Sequence, residues 1–362
     1  MNNSTLNAVS LFSGAGGMDV GFKSAGFNIV SANELNKNAV ETYKANFDNH
    51  IIQGDIDENM PMFADLENIS CVFGGPPCQG FSVAGKMDLN DSRSKLVLSF
   101  MKVVEITEPE CFVMENVKAL ATLSKFSHFR EELFNFATRL GYSCELIIAN
   151  SREFGVPQSR ERMFFVGFKN KKNLRLNERL LNYKKDYEIT AKMALSKLGP
   201  VGSDENPSTC NAGISIAANP ILRKSPYAGM IFNGMGRPID PNKPSQTLPA
   251  SMGGNKTPIV DERTFFGDGY SWIEEYHSSL RLGGAPLPMS ATPSSLRRLT
   301  IEEAKILHTF PKDFIFKGPK TSIYSQIGNA VPCELAKAIA LVTLDVLNDV
   351  KIESNITQDL NF

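Results

Sequence analysis

Several features that would narrow the function are missing from this sequence. Its six cysteines (Cys71, Cys78, Cys111, Cys144, Cys210 and Cys333) form no C-x-x-C pair and lie near no cluster of its four histidines. That spacing argues against a zinc site or a disulfide framework, so no metal is expected. In a reducing compartment such thiols are ordinarily small buried apolar groups. No apolar run approaches the roughly 18–20 residues that span a bilayer, which excludes a transmembrane helix. The opening Met1-Asn2-Asn3-Ser4-Thr5 lacks the basic and apolar stretches of a secretory signal, and a cytoplasmic location is expected. Neither sign of charge dominates: 38 Lys and Arg stand against 39 Asp and Glu, a net charge of -1. Contact with nucleic acid therefore has to come from a local basic surface, not from the molecule as a whole. There is no internal repeat and no low-complexity tract.

What is present is alternation. Short β-rich apolar runs at residues 7–12, 28–32, 71–73, 111–114, 143–149 and 163–168 are separated by helical patterns such as 36–47, 94–106 and 126–140. This predicts an α/β fold with a mostly parallel, doubly wound sheet covered on both faces. The chain of 362 residues exceeds the roughly 250–300 at which a single core stops growing, so a second, smaller domain is expected. Residues 169–185 are rich in charge and 199–293 in Gly, Pro, Ser and Asn, which predicts a loop-rich unit with short strands and few helices. Helical patterns return at 300–308 and at 332–348, the latter spaced for packing on a sheet.

Four segments at strand ends carry chemistry. Phe12-Ser13-Gly14-Ala15-Gly16-Gly17-Met18-Asp19 follows the first strand. Glycines there let a ligand approach the backbone and leave amides at a helix N-terminus. A dinucleotide fingerprint wants a further glycine where Asp19 stands, so a nicotinamide site fits poorly. Glu34 and Asp55 follow the next two apolar runs, where acids can accept hydrogen bonds from ribose hydroxyls. A tight turn with two solvated acids would use the same residues. Next comes Gly74-Gly75-Pro76-Pro77-Cys78-Gln79-Gly80-Phe81-Ser82. Two prolines stiffen the chain before Cys78 and the glycines permit close approach. That framing suits a nucleophile better than a buried structural thiol. An ordinary thiol of pKa about 8.5 is only slightly ionised near neutrality, so the site has to activate it. Glu115-Asn116-Val117 ends the following strand, on the edge where Glu115 and Cys78 can converge. A lone glutamate there is otherwise a solvated loop acid. In Gln158-Ser159-Arg160-Glu161-Arg162 the two arginines lie on one side of an extended chain. They suit phosphate or developing negative charge, or simply surface ion pairs.

Taken in order, these segments resemble the DNA (cytosine-5) methyltransferase family, of the prokaryotic restriction-modification type. The Phe-x-Gly-x-Gly-Gly loop at 12–17, Pro-Pro-Cys-Gln-Gly at 76–80, Glu-Asn-Val at 115–117 and Gln-x-Arg-x-Arg at 158–162 are joined by two later matches. These are Arg298-Leu299-Thr300, with its helix running to Phe310-Pro311, and Gln326-Ile327-Gly328-Asn329-Ala330-Val331-Pro332. The resemblance implies methyl transfer from S-adenosylmethionine to C5 of a flipped cytosine through a covalent adduct of Cys78 with C6. Glu115, Asn116, Arg160 and Arg162 would be the other catalytic residues. Phe12, Gly14, Gly16, Gly17, Glu34, Asp55, Pro77, Asn329 and Val331 would hold the cofactor. Gln79, Ser82, Arg93 and Thr247 would contact double-stranded DNA.

The same resemblance divides the chain into a catalytic domain over 1–195, completed by 322–362, a target-recognition domain over 196–296 and a connecting segment over 297–321. A monomer is expected, with a cognate restriction endonuclease acting separately. No extra regulatory domain precedes residue 11, which points to a bacterial modification enzyme. Two rivals compete: a transfer-RNA cytosine-5 methyltransferase on the same catalytic domain, and a catalytically inactive DNA-binding module. The long Gly/Pro/Ser-rich region favours duplex DNA over the first, and the full set of Cys78, Glu115 and Arg162 argues against the second. The DNA sequence recognised is not legible, because base contacts would come from loops of the variable region.

Overall fold

The alternating runs resolve into one seven-stranded sheet in a computed structural model that describes residues 5–77, 92–199, 201–207, 212–231, 237–267 and 269–351. Strands β1 (Asn7–Leu11), β2 (Asn28–Glu34), β3 (Ile51–Gln53), β4 (Cys71–Gly74) and β5 (Cys111–Val117) are parallel. β6 (Tyr142–Asn150) is followed by a two-residue β7 (Gln158–Ser159) and by β8 (Glu161–Lys169). β8 inserts antiparallel between β5 and β6, giving the order β3-β2-β1-β4-β5-β8-β6. Its direction follows from chain length. About ten residues separate β6 from β8, fewer than the dozen or more that a parallel crossover needs.

Five strands run past their expected ends, and at two of them the added pairing reaches an acid. Residues 32–34 of β2 pair with 51–53, and residues 115–117 of β5 pair with 162–164. Glu34 and Glu115 are thus fixed in the ladder and are not loop acids.

Side chains alternate between the two faces with the period of two that a strand imposes. Cys71 and Phe73 of β4 enter one core, while Val72 enters the other. The first core is covered by α1 (Gly17–Ser24) and the helix Cys333–Leu347, with Phe22 stacked on Phe73 at 3.9 Å between ring centroids. The second core packs against the helices Ser92–Thr107 and Ser127–Arg139 through Phe100 and Leu133. Each large apolar side chain so buried contributes about 1.5–3 kcal/mol. Strand order reverses between β1 and β4, the place where open α/β sheets form a crevice at their carboxyl ends.

The rest of the chain rests on smaller cores, one around Leu195, Leu248, Val260 and Leu307, another around Ile216, Ile273 and Leu296. Its strands are short: β9 (Ser245–Gln246) pairs with β7, and β10 (Ile259–Asp261) pairs with β11 (Leu296–Arg298). The Ser-rich texture hides a ten-residue helix, Trp272–Arg281, which buries Ile273, Tyr276, His277 and Leu280. The helix Ile301–Leu307 begins with a reciprocal cap. The Thr300 hydroxyl accepts the Glu303 amide hydrogen bond at 3.0 Å, and the Glu303 carboxylate accepts that of Thr300 at 2.9 Å.

Candidate active site

A cavity of about 850 Å³ opens where β1, β2, β4 and β5 end, within the roughly 300–1,000 Å³ usual for small-molecule sites. Phe12 begins the glycine loop in a left-handed conformation (φ 53°) unusual for a residue with a side chain. A Cβ on Gly17 would stand 2.6 Å from the Val331 carbonyl oxygen, so glycine is what lets the C-terminal segment close on this loop. Glu34 holds the loop from the side. Its Oε2 accepts from the Gly14 amide at 2.8 Å and its Oε1 from the Asn36 amide at 2.7 Å. Buried Asn33 donates to the carbonyls of Ile52 and Gly54, both at 3.2 Å, and so fixes the turn that presents Asp55.

Of the residues expected to hold a cofactor, Phe12, Gly14, Gly17, Glu34, Asp55, Pro77, Asn329 and Val331 line this cavity. Gly16 does not: it turns the chain behind the wall at φ 90°, where a Cβ would meet the Phe47 ring at 2.4 Å. The donor set fits a nucleoside. An aromatic ring, two carboxylates with lone pairs to spare and a glycine backbone match a base, ribose hydroxyls and a close-lying chain.

Asp19 also lines the cavity and is fully buried. Its Oδ1 accepts from the Tyr43 hydroxyl at 2.8 Å, while Oδ2 has no hydrogen-bond partner among the described residues. Burial pushes its pKa up to about 6, against the opposing pull of the Ser10 and Tyr43 hydroxyls. Tyr43 gives its proton to Asp19, so its oxygen is left to accept from His50 Nε2, 3.0 Å away.

The reactive wall is built on β5 and β8. Val117 pairs with Arg162, and Glu115, two residues back, shares that face. Arg162 Nε lies 2.7 Å from Glu115 Oε1, and the two side chains are only 15% and 12% exposed. Burial raises the Glu115 pKa above the usual carboxylate range, opposed first by Arg162 and then by Arg160. A Cβ on Gly75 would lie 2.9 Å from Glu115 Oε2, so only glycine leaves that oxygen its space. Asn116 is buried and donates from Nδ2 to the Pro76 carbonyl at 3.2 Å, which holds the proline pair against the strand.

Arg160 and Arg162 both line the cavity, yet they are used differently. Arg160 is 3% exposed and donates to the carbonyls of Leu248 (3.2 Å) and Gly328 (2.9 Å). Its cation thus ties together two distant segments. Buried Gln158 completes the junction. Its Oε1 accepts from the Leu248 amide at 3.1 Å, which turns its Nε2 toward the Leu307 carbonyl (3.2 Å) and His308 Nδ1 (3.1 Å). Nδ1 is then the acceptor. His308 is neutral, because burial, with Arg160 and Arg162 nearby, holds its pKa well below the ordinary value. Thr247 lines the cavity mouth and donates to the Ser159 carbonyl at 2.9 Å. Cys78, Gln79 and Ser82 lie outside the described residues, although Pro76 and Pro77, just before them, line the cavity. Arg93 falls in the first turn of the helix Ser92–Thr107.

Fold and cavity together define a doubly wound α/β protein with a ligand crevice at its strand switch point, walled by a buried acid and its arginine. The family model described as C-5 cytosine-specific DNA methylase matches residues 6–344, and the chain belongs to that family: it is a DNA cytosine-5 methyltransferase. It is 33% identical over 351 residues to the type II methyltransferase M1.HphI of Haemophilus parahaemolyticus, covering 94% of this chain and 87% of that one. It is 31% identical over 372 residues to the type II methyltransferase M.FnuDI of Fusobacterium nucleatum, covering 99% and 100%. In fold it is similar to a prophage-encoded DNA modification methyltransferase (E. coli), with a TM-score of 0.67 and 24% identity over 95% of this chain and all of that one. The S. pombe Dnmt2 methyltransferase gives a TM-score of 0.65 at 18% identity, over 96% of this chain and all of that one. Among the described residues no helix is long and apolar enough to cross a membrane.

Proposed function

We propose that the chain methylates C5 of a cytosine flipped out of duplex DNA, through a covalent bond between Cys78 and C6, as the modification enzyme of a type II restriction-modification system. The observation that carries the reading is Glu115, buried on the cavity wall, paired with Arg162 and drawn toward its protonated form. Bound S-adenosylmethionine would supply an electrophilic methyl group, held by Phe12, Glu34 and Asp55. C5 of an intact cytosine is a poor nucleophile, so the protein has to change the ring first. The Cys78 sulfur adds to C6 while the Glu115 carboxyl gives its proton to N3, and the electron density displaced from the ring makes C5 nucleophilic. Arg162 faces the base carbonyl and steadies the Glu115 carboxylate once the proton has left. After transfer, a base takes the C5 proton, the sulfur leaves C6 as thiolate and N3 returns its proton to Glu115.

None of these ring atoms is reachable inside a duplex, so the base is extruded at a cost of a few kcal/mol. In this reading residues 1–195 and 322–362 form the catalytic unit, 196–296 read the DNA and 297–321 connect them. Asn116 and Arg160 position the site, with the protein acting as a cytoplasmic monomer beside a separate endonuclease. Duplex DNA carrying 5-fluorocytosine tests the chemistry, since C5 then has no proton to lose. A denaturation-resistant protein–DNA adduct that disappears in Cys78→Ala is expected. Absence of the adduct in the wild type ends the covalent route.

A further inference from the structure

Most charges on the cavity wall are already committed. Glu115 is paired with Arg162, Arg160 with two carbonyls, and Glu34 with the Gly14 and Asn36 amides. Asp19 is different. It lines the cavity, is fully buried, and keeps Oδ2 without a hydrogen-bond partner among the described residues. The elements packed around it bring no cation to its side. β1 brings the Ser10 hydroxyl, and the helix Lys37–Lys44 that of Tyr43, with His50 and Asp48 behind it. Burial lowers the pKa of His50, against the pull of Asp48 and with the push of Lys23. The helix Cys333–Leu347 brings Cys333, with Glu334 beside it, and burial keeps that thiol protonated. Lys23, one turn further along α1, lies over the Phe47 ring at 5.8 Å. A buried carboxylate with no counter-charge is costly, and in the empty cavity Asp19 meets that cost by holding a proton up to about pH 6.

We propose that Asp19 is a cofactor-binding residue whose ionised carboxylate holds the α-ammonium of S-adenosylmethionine. The proposal rests on the cofactor reading above, which gives Glu34 and Asp55, at the ends of β2 and β3, to the adenosine. The methyl group to be transferred has to face the wall of β4 and β5, where Pro77 and Glu115 stand. The amino-acid end of the cofactor is left for the remaining side, the glycine loop and the first turn of α1 that carries Asp19. That end bears an ammonium, the charge this side of the cavity lacks. A cation beside a carboxylate favours its ionised form. Binding therefore expels the Asp19 proton to solvent, and affinity rises with pH until Asp19 is already ionised in the empty protein.

Calorimetric titration of the full chain between pH 5 and pH 7 tests this. The ligands are S-adenosylmethionine and S-adenosylhomocysteine, which keeps the ammonium but has no sulfonium charge. With a pKa of about 6, the ionised fraction of Asp19 climbs from about one-eleventh to ten-elevenths over that range. Affinity for both ligands should rise about tenfold, and at pH 6 about half a proton should be released per ligand bound. Asp19→Asn should show neither effect and should bind both ligands about tenfold more weakly at pH 7. Tyr43→Phe removes a hydrogen bond to the carboxylate and should move the rise to higher pH. Glu115→Gln should keep the rise. 5′-Methylthioadenosine, which lacks the amino-acid end, should bind wild type and Asp19→Asn alike, showing that the variant keeps its folded adenosine site. A tenfold rise that persists in Asp19→Asn, or vanishes in Glu115→Gln, overturns the proposal. So does a rise confined to S-adenosylmethionine, which would set Asp19 against the sulfonium. Failure of the parent reading looks different: the wild type would then bind neither nucleoside at any pH.

Discussion

Residues 5–169 and residues 191–327 hold their working groups in opposite ways. In the first region Glu34, Glu115 and Arg162 stand at the ends of strands of seven to nine residues, and one contiguous tripeptide supplies both the acid, Glu115, and Asn116, which holds the Pro76 carbonyl. In the second region strands are two or three residues long, and long side chains do the holding. Arg298 reaches the Thr257 carbonyl, Gln246 those of Arg237 and Pro238, and Arg160 that of Leu248. Chemistry tolerates little displacement of its groups, so it is placed on the sheet. A frame fixed through its backbone leaves the outward side chains free to change.

The comparison breaks first if removing the thiol leaves the enzyme working. Cys78→Ala should lower turnover by on the order of 10⁴-fold or more, with S-adenosylmethionine affinity unaltered by calorimetry. Glu115→Gln keeps shape but not the proton, and kcat should fall by about 10²–10⁴-fold. Burial raises the Glu115 pKa, so wild-type kcat should decline as pH rises through that raised value. An identical alkaline decline in Glu115→Gln would mean that another group is the acid.

The two arginines sharpen the contrast. Arg160→Met strands two buried carbonyls, and at about 1.5–3 kcal/mol per charged hydrogen bond a loss on the order of 3 kcal/mol is expected in urea unfolding. Arg162→Met should cost less stability and more turnover, and the reverse ranking would undo the separation of roles. Asp19 adds a test by pH. Its pKa rises from the model-compound value of 3.8 to about 6 in the folded chain. The folded state therefore binds this proton more tightly than the unfolded one. The stability that results is fully present below about pH 4 and is lost as pH climbs through about 6. Roughly two pH units at about 1.4 kcal/mol each amount to some 3 kcal/mol. The difference in stability between wild type and Asp19→Asn should shift by about that much between pH 4 and 8, and a constant difference would show that Asp19 does not titrate there.

Much of the first region is legible in the sequence because each of its motifs is contiguous and falls at a strand end. Ladder lengths are not. Read locally, Glu34 and Glu115 are loop acids, and only the neighbouring strands extend the pairing through them. The antiparallel β8 was open to inference from the short link before it, whereas the partnership of Gln158 with Leu248 and His308 was not, since no local pattern joins three such distant segments. Helix Trp272–Arg281 carries its signal in Ile273, Tyr276 and Leu280, three residues submerged in a window averaged over Gly and Ser. An acid such as Asp19 in a helix's first turn is unremarkable until the tertiary structure buries it under Tyr43.

The packing of Cys333–Leu347 on α1 has a consequence for biosynthesis. Gly21 lies so close to the late helix that a Cβ would sit 2.5 Å from the Lys337 amide nitrogen. During translation the apolar side of α1 waits for a partner encoded roughly 300 residues later, some 15–60 s at about 5–20 residues per second. A ribosome that stalls before that helix emerges releases a chain whose glycine loop lacks its far wall, so incomplete products should be poor at capturing a methyl donor.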